Sequence, residues 1–279
     1  KDKNKLTRHL LPDLEISGVP KSLRSSTYTF EYNNLEQFKK LIKNHDIGVV
    51  KMEVLRNQKP KNNFLKEIRK ITESKGIVLI FDECTSGFRE NFGGLHLKYN
   101  VIPDIAIFGK ALGNGYAINA IVGKKEFMSH AQSTFISSTF WTERIGPTAA
   151  LKTLDVMEKS KSWDFITRQG AKVKKRWINE AKKNNLTIQT SGLESLATFT
   201  IKSKNSQKYK TFITQEMLKK GFLATNSVYV CIDHNDQIID NYFNELDSIF
   251  KRIKECQESN GETHLLDGPI SHSGFARLN

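Results

Sequence analysis

The sequence predicts an α/β fold followed by a smaller α+β unit. Three observations carry this. Strand and helix patterns alternate through the first half of the chain. The apolar run Ile77-Val78-Leu79-Ile80-Phe81 is of the uninterrupted kind that a parallel sheet covers on both faces. After about residue 160 the pattern changes to separate strands and helices of another order.

Taken in order, the first thirty residues are irregular, passing Gly18-Val19-Pro20 and closing in a strand-like stretch from Thr27 to Tyr32. Asn34 is placed to cap a helix reaching about Lys43, with Leu35, Phe38, Leu41 and Ile42 on one face. Ile47 to Val54 reads as a buried strand. Asn63 opens a second amphipathic helix carrying Phe64, Leu65, Ile68 and Ile71, and Gly76 sits where a helix ends in the left-handed conformation. Strand, helix, strand at these lengths makes a right-handed crossover unit. Ile105 to Phe108 and Ile118 to Val122 are further strands, and Pro147 to Lys159 and Ser162 to Lys183 are helical. Beyond them Leu196 to Ile201 and Ser227 to Ile232 read as strands, Tyr209 to Lys220 and Asp236 to Cys256 as helices. This divides the chain into a large unit over residues 1–160 and a small α+β unit over 161–279, with no internal repeat or low-complexity tract.

With 279 residues, 38% of them hydrophobic, the chain has enough apolar material for a real core, which excludes a disordered tail. Lys and Arg number 43 against 30 Asp and Glu, a net charge of +13. That balance raises a basic nucleic-acid-binding module as a reading of a different class. The lysines, however, fall in short doublets such as Lys39-Lys40, Lys174-Lys175 and Lys182-Lys183 within polar helical stretches, which read as solvated faces. No basic stretch is interleaved with aromatics, so no specific nucleic acid is expected. Cys84, Cys231 and Cys256 are too few and too scattered for a disulfide framework or a CxxC metal site, and a reducing, cytoplasmic compartment fits them best. No apolar run approaches the roughly 18 residues that span a bilayer, so no membrane association is expected. The seven histidines show no metal-binding spacing, and His234 near Asp236 reads as a loop contact. Gly113-Asn114-Gly115 lacks the third glycine and the following helix of a dinucleotide fingerprint. Phe140 and Trp141 read as core or interface aromatics.

In open α/β sheets ligands collect beyond the carboxyl ends of the strands, so polar groups that follow an apolar strand are the first to consider. Asp82 ends one such strand, in Phe81-Asp82-Glu83-Cys84-Thr85-Ser86-Gly87-Phe88-Arg89. Lys110 leaves another, in Phe108-Gly109-Lys110-Ala111-Leu112-Gly113-Asn114-Gly115. A lysine at a strand end among glycines and apolar residues can have a partly desolvated amine suited to Schiff-base chemistry. A carboxylate on a neighbouring strand end can keep a heteroaromatic nitrogen protonated.

These segments resemble the class III aminotransferases, fold-type I pyridoxal-phosphate enzymes, and within them the branch like glutamate-1-semialdehyde 2,1-aminomutase. Asp82 to Arg89 is similar to the family's Asp-Glu-Val-x-Thr-Gly-Phe-Arg, and Phe108-Gly109-Lys110 to its cofactor-lysine segment. The likeness runs from Gly18-Val19-Pro20 through Ser137-Ser138-Thr139 and Pro147 to Ser273-Gly274-Phe275-Ala276-Arg277-Leu278. The resemblance implies a fold-type I large domain, mostly parallel and incomplete at its N-terminus, then a small α+β domain. The chain begins with Lys1, not Met, and corresponds to about two thirds of a family member. The phosphate cradle and the ring-stacking aromatic are therefore expected outside it, and this chain taken alone could be an inactive fragment.

The roles implied are specific. Lys110 forms the internal aldimine with pyridoxal phosphate and shuttles a proton, and Asp82 pairs with the ring nitrogen. Cys84 lies against the ring where the family has Val, and Thr142, five residues before Pro147, binds cofactor phosphate across a dimer interface. An ordinary helix N-cap is the other reading of Thr142, because Glu143-Arg144-Ile145-Gly146 departs from the family's pattern. Glu53 matches a family glutamate, with Val54 in place of the usual proline, and could serve packing as well as the site. No metal is implied. The activity implied is aminotransfer between an amino donor and a carbonyl acceptor in a homodimer with a shared active site, or intramolecular aminomutation.

Overall fold

A computed structural model of the chain describes residues 18, 20–23, 26–137, 139–259 and 264–273. Val19, Ser138 and the 274–278 segment, which carry part of the resemblance, lie outside them. The first sheet holds β1 (Val49–Glu53), β2 (Val78–Asp82), β3 (Ile105–Phe108) and β4 (Ala120–Gly123) in that spatial order, the first three parallel and β4 antiparallel to β3. α1 (Leu35–Asn44) starts at Asn34, whose side chain accepts the Gln37 amide as expected of a cap. α1 and α2 (Phe64–Ser74) bring Phe38, Phe64, Leu65 and Ile68 onto Val50, Met52, Leu79 and Phe81 in one core.

The first half of the chain departs from its sequence pattern in two places. Thr27 to Tyr32 joins no ladder. Its aromatics pack outward onto helices instead: Tyr28 stacks on His45, Phe30 meets Phe38 and Tyr32 meets Phe64 edge-on. The Ile77–Phe81 run is not covered equally on both faces. Leu79 and Phe81 are fully buried, whereas Val78, Ile80 and Asp82 are half-buried, because α1 and α2 pack on one face only.

α3 (Lys125–Met128) follows β4, and α4 (Ile145–Ser160) begins two residues before the expected helix, with Pro147 in its first turn where a missing amide costs nothing. Lys161, in the left-handed conformation (φ 48°, ψ 43°), alone separates α4 from α5 (Ser162–Lys183). The second sheet is antiparallel in the order β5 (Ile188–Ser191), β6 (Leu196–Ile201), β7 (Ser227–Tyr229). β7 stops short of Ile232 as the chain turns toward Asn235, whose side chain caps α7 (Asp236–Glu258) by accepting the Ile238 amide. α6 (Ser206–Lys219) starts earlier than expected, since the Ser203 hydroxyl accepts the Asn205 amide and turns the chain into its first turn. Trp177, Phe199, Phe212, Leu246 and Phe250 centre the second core.

α5 passes so close to the segment before β6 that a Cβ on Gly170 would lie 1.8 Å from the Glu194 carbonyl oxygen. The buried Glu90 carboxylate accepts the Ser195 amide at 3.0 Å. Lys174, expected on a solvated face, is instead largely covered, donating to the Gly192 carbonyl at 2.7 Å and pairing with Glu194. Among the described residues no helix is long and apolar enough to cross a membrane. None of their His, Cys, Asp and Glu residues gather into a metal-binding group.

Asp104 locks β2 to the turn before β3. Only 3% exposed, it accepts the Leu79 amide at 2.8 Å and pairs with Arg69 at 2.9 Å and Lys124 at 2.7 Å. Burial alone would raise its carboxyl, but the amide and the two cations outweigh that and hold it below the usual range. Its stabilisation is therefore complete above the unfolded-state value of about 4 and is lost only as pH falls through the lower folded value. Asp104→Asn is expected to cost about 2 kcal/mol in denaturant melts at pH 7. The gap to wild type should persist at pH 5 and close below about pH 4; closure already at pH 6 would contradict the assignment.

Candidate functional site

Asp82 is the last residue of β2, and Lys110 lies two residues beyond the end of β3. Because β2 and β3 are adjacent and parallel, with Asp82 opposite Ile107, both groups emerge at the same carboxyl edge of the sheet.

The backbone at Lys110 changes direction within two residues. Gly109 is extended, and a Cβ there would lie 2.4 Å from Asn119 Oδ1, so a larger residue would have to displace the Asn119 carboxamide. Lys110 then adopts φ +45°, a left-handed conformation costly for a residue with a Cβ and concentrated at functional sites. The Gly113 and Asn114 amides both donate to its carbonyl at 3.1 Å, closing a short 3-10 turn. Its Nζ donates to Thr85 Oγ1 at 2.7 Å. The residue as a whole is exposed, while its bond to Thr85 is part-buried and the hydroxyl orients the amine.

Asp82 presents one carboxylate oxygen to the Cys84 amide at 3.1 Å and the other to Lys51 Nζ at 2.9 Å. Burial would raise the carboxyl, but Lys51 and the Cys84 amide together hold it below the usual range. Cys84 lies between the two strand ends, its Sγ 3.5 Å from where a Gly109 Cβ would stand. Burial, then the Asp82 charge, push its thiol up against the opposing pull of Lys110 and Lys51, so it remains protonated at neutral pH. A cleft of about 520 Å³ opens beside Asp82, lined also by Tyr32, Lys51, Met52, Glu53 and Arg56. Glu53 faces this cleft and is held by Arg56 at 2.9 Å.

Thr142 stands apart from this cluster, exposed in the turn before α4. It is not the helix cap either, since Glu143 accepts the Ile145 and Gly146 amides. Around it, Phe135, Phe140, Trp141, Ile145 and Leu151 are all exposed, from 66% to 96%. Phe140 and Trp141 are therefore not core residues. His234 is a loop contact as expected, its Nδ1 accepting the Cys231 amide.

Sequence reasoning missed the groups that hold the site. Glu83, completely buried, accepts the His96 amide and meets His96 Nδ1, both at 2.8 Å, and accepts the Ser86 hydroxyl, pinning the loop after β2. Its position next to Asp82 at a strand end, where side chains alternate, was the available signal. For Lys51 the signal was a cation inside an apolar strand.

A family model for class-III aminotransferases matches residues 56–240. The chain is 31% identical over 234 residues to 3-aminobutyryl-CoA aminotransferase of Cloacimonas acidaminovorans, covering 79% of this chain and 56% of that protein. It is 29% identical over 259 residues to glutamate-1-semialdehyde 2,1-aminomutase of Thermodesulfovibrio yellowstonii, covering 85% and 61%. The fold is shared with the FumI protein of Sphingopyxis sp. MTA144, solved in its PLP internal aldimine form, at a TM-score of 0.80 and 19% identity over 89% of this chain and 63% of that one. It is shared also with an omega-transaminase from Sphaerobacter thermophilus, at 0.77 and 20% over 86% and 60%. The chain thus spans about three fifths of the length of the proteins it matches.

Proposed function

The chain belongs to the class-III aminotransferase family, and from that premise we propose that it carries the amino-transfer chemistry of an enzyme using pyridoxal phosphate to move an amino group between a small amino compound and a carbonyl acceptor. The observation that carries this reading is the lysine amine and aspartate carboxylate emerging at one sheet edge, with a neutral thiol between them. A planar ring with a basic nitrogen at one end and an aldehyde at the other fits that set. Pyridoxal phosphate, when bound, supplies a carbonyl that captures amines and a ring that draws electrons from the bond being broken.

The chain's own residues do the rest. Lys110 would hold the cofactor through Nζ and, as a free amine, would hold or pass a proton at that atom, with the Thr85 hydroxyl fixing its direction. Asp82, already ionised, holds a proton on the ring nitrogen. Cys84 packs against a ring face as a small polarizable surface. Thr142 reaches the phosphate bound in a second copy's site. The exposed aromatic and aliphatic residues around it support a homodimer, as a patch of that kind marks an interface. The α+β unit begins at Lys161, where the helical run breaks. A cytoplasmic location accords with three cysteines left as thiols.

A second reading, intramolecular aminomutation, is favoured by relatives bearing that name. Transfer that needs no separate carbonyl acceptor would select it.

Asp82→Asn in the full-length protein tests the reading. An amide cannot balance the charge of a protonated ring, so the transfer rate should fall roughly 10²–10³-fold, while borohydride still fixes the cofactor to Lys110. An unchanged rate would remove Asp82 from the mechanism. No uptake of pyridoxal phosphate by either protein would sink the proposal.

A further inference from the structure

Lys51 is out of place in its strand. β1 reads Val49-Val50-Lys51-Met52-Glu53 and runs parallel to β2, a setting that favours unbroken apolar residues. In register Lys51 stands opposite Ile80 and Glu53 opposite Asp82. The lysine therefore leans two residues forward along its sheet face to place Nζ 2.9 Å from the Asp82 carboxylate. Glu53, although opposite Asp82, takes Arg56 as its cation at 2.9 Å. Each acid at this edge thus has a cation of its own.

We propose that Lys51 is a positioning residue that fixes the Asp82 carboxylate and loosens its grip on the proton of the cofactor ring nitrogen, so that β1 sets how strongly the bound ring withdraws electrons. This rests on the pyridoxal-phosphate reading above. A carboxylate shared between two cations binds each less firmly than it would bind one, because the cations repel while drawing on the same negative charge. Asp82 is contacted by Lys51 from β1 and by Cys84 from the loop after β2, Tyr32, Glu53 and Arg56 line the same cleft with Arg56 paired to Glu53, and Lys110 from beyond β3 acts on Cys84. Among the described residues Lys51 is the one cation paired with the Asp82 carboxylate, and a protonated ring would be a second on the same charge. The ring nitrogen accordingly gives up its proton more readily than it would beside an unshared aspartate. Lys51 is more than half exposed, so the effect weakens as salt is added.

The test uses the full-length protein as wild type, Lys51→Met and Lys51→Arg. In the cofactor-free protein, ¹³C NMR follows the titration of the Asp82 carboxyl. In the protein loaded with ¹⁵N-labelled pyridoxal phosphate, the nitrogen shift follows the ring. Lys51→Met should move the Asp82 midpoint up toward the ordinary carboxylate range and keep the ring nitrogen protonated to higher pH. Lys51→Arg should restore both. An Asp82 midpoint equal in all three proteins overturns the pairing. A moved Asp82 midpoint with an unmoved ring nitrogen overturns the tuning. A moved midpoint in a protein with no visible cofactor band and no borohydride label overturns the cofactor reading and this inference with it, and the absent band distinguishes that outcome from the previous one.

Discussion

Lys110→Ala is expected to abolish borohydride-stable attachment of pyridoxal phosphate and to lower amine transfer by roughly 10³-fold or more. The size follows from the double use of one atom, since Nζ both holds the cofactor and carries the proton afterwards. Stability should hardly change. The side chain is exposed, and alanine meets the same left-handed backbone conformation that lysine already tolerates. Lys110→Arg, which keeps the charge and loses the nucleophile, should be as inactive. Peptide mapping decides the assignment, because Lys51 is a second amine beside Asp82. Label found on Lys51 in the wild-type protein would refute the role given to Lys110.

Gly170→Ala should destabilise the fold by about 3 kcal/mol or more, an overpacking effect at the upper end of its range. In thermal melts that is about 6–12 °C for a chain of this size. The added methyl would meet backbone, the Glu194 carbonyl, and so cannot be relieved by turning a side chain. Ser195 is in turn anchored to the buried Glu90, and Lys174 grips Gly192 and Glu194 from α5, so the segment has little freedom to retreat. The opposing gain of alanine over glycine in a helix is only about 1 kcal/mol. The sign of the change therefore decides whether α5 and the chain before β6 are packed this tightly. A Gly170→Ala variant as stable as wild type would show that they are not.

The parts of this molecule legible in its sequence are those where one local rule acts alone. Phe38 and Ile68 sit on helical faces with the spacing that buries them, and Asn34 caps because its carboxamide has a free amide three residues on. Asp82 and Lys110 stand out in the sequence because one ends an apolar strand and the other follows one, and strand adjacency brings them to the same sheet edge. Where partners distant in sequence decide, the pattern was silent or misleading. Thr27 to Tyr32 has strand composition, yet its aromatics find helices to pack on before any strand edge. β5, reading Ile-Gln-Thr-Ser, is too polar to announce itself and is held by its ladder to β6. Lys174 looked like half of a solvated doublet until folding placed Glu194 beside it. The Lys51 contact with Asp82 arises only from strand register, which no single segment encodes.

The junction at Lys161 turns two helices into one strut. α4 and α5 meet through one residue, so no slack lies between the aromatic cluster at the head of α4 and the far end of α5. α5 has 22 residues and is about 33 Å long. Its middle is pinned to the chain before β6 at Gly170 and Lys174. Whatever grips the start of α4 is thereby held at a fixed distance from the second sheet, with helix rather than loop spanning the interval.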